Sequence, residues 1–493
     1  MNDGSTGADV FARRTAGILL HPTSLPGTGD CGTLGRDARR FVQFIADAGF
    51  AIWQTLPLGP VDSFGSPYSL SSAYAGDLRL IDTDFLDESA ALPDGLPGSQ
   101  LFASPAELFA AFAASASDAQ TAMFVEFVKA EREWLLPYSL FELFSSQFAG
   151  QAWWQWPEQF AKCDRAWLAH TYPEDDPALR ALAFRQYLFS LQWRELKAFA
   201  NERGIRVFGD MPFYVDRNSA DVWWDRQAFL LDERGSPTEV AGVPPDYFSD
   251  DGQLWGNPLF DWDAMRADGF SWWRRRLQFQ LRRFDLLRID HFRALESFWA
   301  VPAHATSAKE GRWVPGAGND LLTALREDGD LPLVAEDLGI ITDAVRELRD
   351  EFSLPGMAVL QFGFDGSPDN PHLPDNLSQR SVFYTGTHDN DTLRGWFEAL
   401  PGEVRQQVAQ RLSIGSELDF AQLPNDLLRV ACESRANLVV IPLQDLLNLD
   451  SNARMNTPGV AAGNWSWRFD WRQVPADCHS LTRTLLQQTH RLR

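Results

Sequence analysis

Leu286-Leu-Arg-Ile-Asp290-His-Phe-Arg293 is a short apolar run that ends on a carboxylate. It has two counterparts, Leu333-Val-Ala-Glu336-Asp337 and Val382-Phe-Tyr-Thr-Gly-Thr-His388-Asp389-Asn390. Apolar runs of this length, bounded by turn signals, are the pattern of buried parallel strands. A carboxylate just past such a strand points into the cleft at the strand's C-terminal edge. Folding gives no reason for Asp, Glu and Asp at three such places, because bringing like charges out of water costs energy. One acidic strand end is ordinarily a helix cap or a solvated loop residue. Three of them, two accompanied by His291 and His388, point to chemistry.

Five further runs share this build: Gly17-Ile-Leu-Leu20 before His21, Ala51-Ile-Trp53 before Gln54, Ile205-Arg-Val-Phe208 before Asp210, Met357-Ala-Val-Leu360 before Gln361, and Leu438-Val-Val-Ile441 before Gln444 and Asp445. Helical patterns lie between many of them. Ala38 to Ala48 is apolar at helical spacing and stops at Gly49, and Trp193 to Arg203 stops at Gly204 just before the next strand. This alternation predicts a parallel sheet, and eight strands predict a closed (β/α)8 TIM barrel whose polar strand ends share one mouth.

The spacing is uneven. From Leu56 to Ile205 the chain runs roughly 150 residues, far more than one crossover helix needs. The expectation is a single catalytic barrel domain over residues 1–493, interrupted twice. A mostly helical subdomain at about 84–204 includes Pro105 to Phe148 and Asp176 to Arg203, and loops rich in Trp, Asp and Gly at 215–285 arch over the mouth. After the eighth strand only about fifty residues remain, too few for a β-sandwich of the usual ~100.

A net charge of −23 argues against a nucleic-acid partner and suits a neutral or cationic ligand. No run approaches the ~20 apolar residues of a membrane span, and Met1 to Val10 show no apolar signal-peptide core. Cys31, Cys163, Cys432 and Cys478 are widely separated, as free thiols in a reducing compartment are. The expectation is a cytoplasmic protein without a membrane partner, monomeric or weakly homo-oligomeric. None of the lysines (Lys129, Lys162, Lys197, Lys309) ends a strand, which argues against Schiff-base or pyridoxal phosphate chemistry.

Gly27-Thr-Gly29-Asp-Cys-Gly32 matches GxGxxG, but six residues including Pro22 and Pro26 separate it from the strand. The tight turn of a dinucleotide site cannot form there, and the second strand does not end on an acid that would hold a ribose. Asp250-Asp251-Gly252 lacks the other ligands of a calcium loop, the histidines show no HxxxH or HExxH spacing, and there is no GxSxG elbow. No metal and no cofactor are expected.

Carboxylate chemistry remains. Asp290 and Glu336, at the ends of neighbouring strands, suit a retaining glycosidase pair, which needs two carboxyls about 5–5.5 Å apart. Adjacent strands lie ~4.8 Å apart, so the geometry is available. Arg288, two residues before Asp290, faces the same side and would hold it ionised, while the apolar run before Glu336 would raise the pKa of an acid. Trp53, Trp223, Trp224, Trp255, Trp465 and Trp467 suit stacking on sugar faces, although most tryptophans serve core packing.

Ala16 to Phe469 resembles the 4-α-glucanotransferases called amylomaltase or disproportionating enzyme, relatives of the α-amylases. The resemblance is carried by His21-Pro-Thr-Ser-Leu-Pro26, Trp53-Gln-Thr-Leu-Pro-Leu-Gly-Pro60, Ser66-Pro-Tyr68, Gly209-Asp-Met-Pro212, Ala241-Gly-Val-Pro-Pro-Asp-Tyr-Phe248, Trp255-Gly-Asn-Pro258, Leu287-Arg-Ile-Asp-His-Phe-Arg293, Gly311-Arg-Trp-Val314, Glu336-Asp-Leu-Gly339, Thr387-His-Asp-Asn-Asp391 and Arg454-Met-Asn-Thr-Pro-Gly459. It implies Asp290 as nucleophile, Glu336 as acid/base and Asp389 as the residue gripping sugar hydroxyls in the transition state. It also implies that Tyr68, Asp210, Arg288, His388 and Asn456 line the donor site, that Asp246, Tyr247 and Phe248 form a loop over the acceptor side, and that Trp255 binds substrate. Two departures stand out. Asp62-Ser-Phe-Gly65 lacks the Tyr with which some relatives build a secondary glucan site, and Leu373-Pro-Asp375-Asn376 replaces the usual Leu-Pro-His-Asn, for which there is no physical account.

The leading expectation is transfer of α-1,4-glucan segments to the 4-hydroxyl of another glucan or glucose. An α-glucan hydrolase would use the same carboxylates, and a non-catalytic glucan-binding protein could keep the barrel.

Overall fold

In a computed structural model, residues 10–27, 29–245, 251–412, 423–460 and 462–493 are described. Their strands are β1 (Thr15–Leu19), β2 (Ile52–Gln54), β3 (Arg206–Met211), β4 (Glu239–Val243), β5 (Gln253–Pro258), β6 (Leu286–Ile289), β7 (Ser297–Pro302), β8 (Arg312–Pro315), β9 (Leu333–Ala335), β10 (Gly356–Val359), β11 (Ser381–Tyr384) and β12 (Leu438–Pro442). Eight form a parallel sheet in the order β10-β11-β12-β1-β2-β3-β6-β9. Its two ends meet: the Ala335 amide donates to the Pro355 carbonyl at 2.8 Å. The sheet is a TIM barrel built from the eight runs that the alternation predicts.

Period-two alternation sorts the barrel's side chains. Leu19, Ile52, Phe208, Leu286, Val334, Met357, Val382, Tyr384 and Leu438 fill the interior together with Val10 and Phe11. Their neighbours Ile18, Trp53, Val207, Leu287, Ala335 and Val439 join the large outer core with the helices. Full burial of side chains this size contributes roughly 1.5–3 kcal/mol each. Stepping two residues along three strands leads from Phe208 to Asp210, from Leu286 to Arg288 and from Val334 to Glu336. The polar residues therefore occupy inward positions at the C-terminal end. At Gly17 a Cβ would lie 2.8 Å from the Cβ of Ile52, so the approach of β1 to β2 requires glycine.

The helix Arg36–Ala48 buries Ala38, Phe41, Val42, Ile45, Ala46 and Ala48 on one face and stops at Gly49, where φ is +94°. The stretch read as a helical insertion contains Pro105–Ser115, Asp118–Ala130, Arg132–Gln147 and the 26-residue helix Pro177–Glu202. That last helix serves two layers. Phe184 and Tyr187 join Phe109, Phe112, Phe124 and Phe127 in an aromatic cluster, whereas Trp193 reaches Trp53 of β2 and Phe284. It is thus also the crossover from β2 to β3.

The stretch at 215–285, together with the residues just after β6, holds more order than its composition suggests. β5, β4, β7 and β8 make an antiparallel sheet in that order, pairing Gly242 with Trp299 and Trp299 with Trp313. The short runs of this sheet are split across the chain by β6, so no local period announces it.

Candidate active site

One chain of polar contacts crosses the mouth from β2 to β9. Tyr68, in the loop after β2, donates its hydroxyl to Asp210 Oδ2 at 2.7 Å. Arg288 on β6 donates to the same oxygen at 2.7 Å with Nη1, and its Nη2 lies 2.8 Å from Asp290 Oδ1. The guanidinium is thus a two-pronged bridge between two carboxylates. Burial opposes its charge, but Asp210 and Asp290 outweigh burial and hold it protonated well above its usual range. The Asp210 side chain is fully buried. Burial raises its pKa, with Arg288 acting against the shift. Burial, and then Asp210, also pushes the Tyr68 hydroxyl well up.

Ile289 pairs with Ala335, so Asp290 and Glu336 follow in register on adjacent strands. The Glu336 amide donates to the Ile289 carbonyl at 3.0 Å. Its carboxylate accepts the amides of His291 at 2.7 Å and Leu338 at 3.0 Å. The first bond requires an unusual backbone: His291 has φ +52°, in the left-handed region that residues with a Cβ rarely adopt. Burial pushes the Glu336 carboxyl up to about 7, the nearby Arg288 acting against this and Asp290 with it.

Asp389 approaches from the loop after β11. Asn456 donates to its Oδ1 at 2.6 Å, Arg454 donates to its carbonyl at 2.6 Å, and His388 Nε2 lies 3.4 Å from Oδ2. The His388 ring stacks on Tyr68 with centroids 5.1 Å apart, and Trp465 leans on both. On the opposite flank the exposed Trp255 of β5 meets the His291 ring edge-on at 4.8 Å, with Tyr214 beside both. Burial lowers His291 to about 4. Asp246, Tyr247 and Phe248 lie outside the described residues.

The fold therefore gathers Tyr68, Asp210, Arg288, Asp290 and Glu336 in one linked set, adds His388, Asp389 and Asn456 on one flank, and adds Trp255 on the other. Trp53 and Trp223 are buried core residues, which removes them from sugar stacking. Several strand-end polar residues hold loops. Gln54 accepts the Tyr384 hydroxyl inside the barrel at 2.9 Å, and Gln361 donates to the Asp391 carbonyl at 2.8 Å. Asp445 takes the Thr385 hydroxyl at 2.6 Å and the Leu393 amide at 2.7 Å, bracketing the loop that carries Asp389. Burial pushes Asp445 up to about 6. Tyr214 was missed by sequence reasoning, since Phe213-Tyr214 after β3 reads as ordinary core. Among the described residues, no group of three or more His, Cys, Asp or Glu is placed to hold a metal ion.

The sequence model of the family described as 4-alpha-glucanotransferase matches residues 20–473. A 4-alpha-glucanotransferase of Thermus thermophilus is 43% identical, over 97% of this chain and 99% of its own length. One from Synechocystis is also 43% identical, over 93% and 94%. Among solved structures, the amylomaltase from Streptococcus agalactiae in complex with acarbose superposes with a TM-score of 0.91 at 31% identity, covering 98% of this chain and all of the other.

Proposed function

The chain belongs to the 4-alpha-glucanotransferase family, and on that premise we propose that Asp290, Glu336 and Asp389 carry out the retaining transfer of α-1,4-glucan segments. The observation that supports this most is Arg288, held between Asp210 and Asp290 one strand away from a carboxyl that keeps its proton to about 7. In the first half-reaction Asp290 attacks the anomeric carbon while Glu336 protonates the departing glycosidic oxygen. The reducing-end segment leaves with a free 4-hydroxyl, and the remaining glucan stays on Asp290 as an ester. In the second, Glu336 takes the proton from the 4-hydroxyl of an acceptor glucan or glucose, whose oxygen displaces Asp290. Two inversions at one carbon retain the α configuration.

Asp389, oriented by Asn456 and beside His388, would grip sugar hydroxyls as the ring flattens toward the transition state. Tyr68, Asp210 and His388 form the donor side. Asp246, Tyr247 and Phe248 belong to the acceptor side on the family resemblance, and Trp255 binds substrate. The Streptococcus agalactiae relative is in complex with acarbose, which supports an oligosaccharide ligand for this chain.

The test is product analysis on maltotriose. A ladder of both longer and shorter glucans is expected, whereas only shorter sugars would mean that water, not sugar, resolves the intermediate. The pH profile is a second check. Glu336 acts first as an acid, so its proton must be on, and burial keeps it on up to about 7. Disproportionation is expected to decline as pH rises through about 7. A profile flat from about pH 6 to about pH 9 would remove Glu336 from the acid role.

The whole chain would act as one catalytic unit, with the segments at about 84–204 and 215–285 shaping the mouth. We place it in the cytoplasm as a monomer or weak homo-oligomer. No described helix is long and apolar enough to cross a membrane, and the four cysteines are free.

A further inference from the structure

The barrel has a seam. Seven neighbouring strand pairs form backbone ladders, but β9 and β10 stand at the two ends of the order. Between them, among the described residues, runs one backbone bond, from the Ala335 amide to the Pro355 carbonyl. What else joins them is a side chain. Asp337, directly after Glu336, accepts the Met357 amide of β10 on Oδ1 at 2.7 Å. Its other oxygen takes Arg349 Nη1 at 2.6 Å, from the helix Asp343–Glu351 that follows β9. The Asp337 side chain is 7% exposed. Gly356 is shaped to it, since a Cβ there would stand 2.5 Å from Asp337 Oδ2 and 2.8 Å from Arg349 Nη1.

Glu336 thus sits between two anchors. Its own amide is tied back to β6 through Ile289, and the next residue is tied forward to β10 through a carboxylate. A buried carboxylate with a charged donor and a backbone donor is a strong fixture, stiffer than the missing ladder bond it replaces. We infer that Asp337, clamped by Arg349, is the positioning residue for the acid/base Glu336, holding it over the seam so that its carboxyl meets the Asp290 side of the cleft. The inference rests on the proposed role of Glu336. Asp337 touches no substrate itself.

The experiment compares Asp337→Ala, Asp337→Asn and Arg349→Met with the parent on maltotriose. Asn can still accept the Met357 amide but cannot pair with Arg349, so it separates the two anchors. A displacement near 1 Å at a reacting group costs roughly 100-fold in rate. Asp337→Ala is therefore expected to lower kcat about 100-fold while KM stays within about twofold. The looser carboxyl is also better hydrated, so the alkaline limb of the pH profile should move to lower pH. Asp337→Asn and Arg349→Met should shift kcat and the limb in the same direction but less. Substituting both partners should cost less than the sum of the two. Should Asp337→Ala fail to fold, the two milder variants decide.

Folded variants with lowered thermal stability but unchanged kcat and an unmoved limb would reduce Asp337 to a structural latch and overturn the inference. Glu336→Gln run in parallel keeps the two readings apart. If it remains active, the acid/base assignment fails. If it is inactive while the Asp337 and Arg349 variants keep parental kcat, the positioning role fails alone.

Discussion

Asp290→Asn is expected to leave the protein folded and to cut maltotriose disproportionation by at least about 10⁴-fold, the scale of loss when an enzyme of covalent mechanism is deprived of its nucleophile. The substitution changes charge and almost no volume. The Asp290 side chain is 28% exposed, so no buried cavity opens. Arg288 keeps Asp210 as a full partner at 2.7 Å, so its positive charge is not left uncompensated. The Asp290 amide bond to the Met211 carbonyl at 3.1 Å is backbone and persists. What disappears is an oxygen able to form the ester intermediate. Circular dichroism and the denaturation midpoint should match the parent while the product ladder vanishes. A folded variant with near-parental transfer would dismiss Asp290 as nucleophile.

Arg288→Met should damage both stability and turnover. The side chain is 7% exposed and lies against a fully buried carboxylate. Removing one partner of a buried ion pair typically costs about 3–5 kcal/mol, because the charge left behind stays out of water. Among the described residues, Asp210 would then keep only the Tyr68 hydroxyl, and its Oδ1 has no hydrogen-bond partner among them. Activity should drop about 10³-fold, since the bridge that orients Asp290 is gone and the freed carboxyl can turn away. Urea unfolding measures the first effect and maltotriose kinetics the second. The double variant Arg288→Met with Asp210→Asn discriminates further. Neutralising the stranded carboxyl should recover much of the lost stability and none of the activity. Equal stability of Arg288→Met and the parent would mean that the pair is solvated after all.

The eight barrel strands were legible because each is an apolar run with a fixed period, closed by a turn signal, and such patterns survive in the chain whatever surrounds it. The same period set Arg288 on the side of Asp290, Asp290 and Glu336 stood out as a carboxylate pair at neighbouring strand ends, and donor-site roles for Tyr68, Asp210, His388 and Asn456, with Asp389's part in the transition state, came through ordered family segments. The seam was not legible. Asp337 reads as one more acidic strand end, and only closure of the sheet puts the Met357 amide, 20 residues on, against its carboxylate. Asp445 likewise reads as a mouth residue, yet it is consumed by Thr385 and Leu393, 60 and 52 residues away.

Sequence by itself determined the eight barrel strands and their parallel closure, since these follow from local periodicity and burial. Tertiary structure alone decided the partners: Tyr68 with Asp210 across 142 residues, Asp210 with Arg288 across 78, Asn456 with Asp389 across 67, and the four-stranded sheet split by β6. A hydrogen bond is specified by which atoms stand about 3 Å apart after the chain closes on itself, and no residue pattern along the chain encodes that distance.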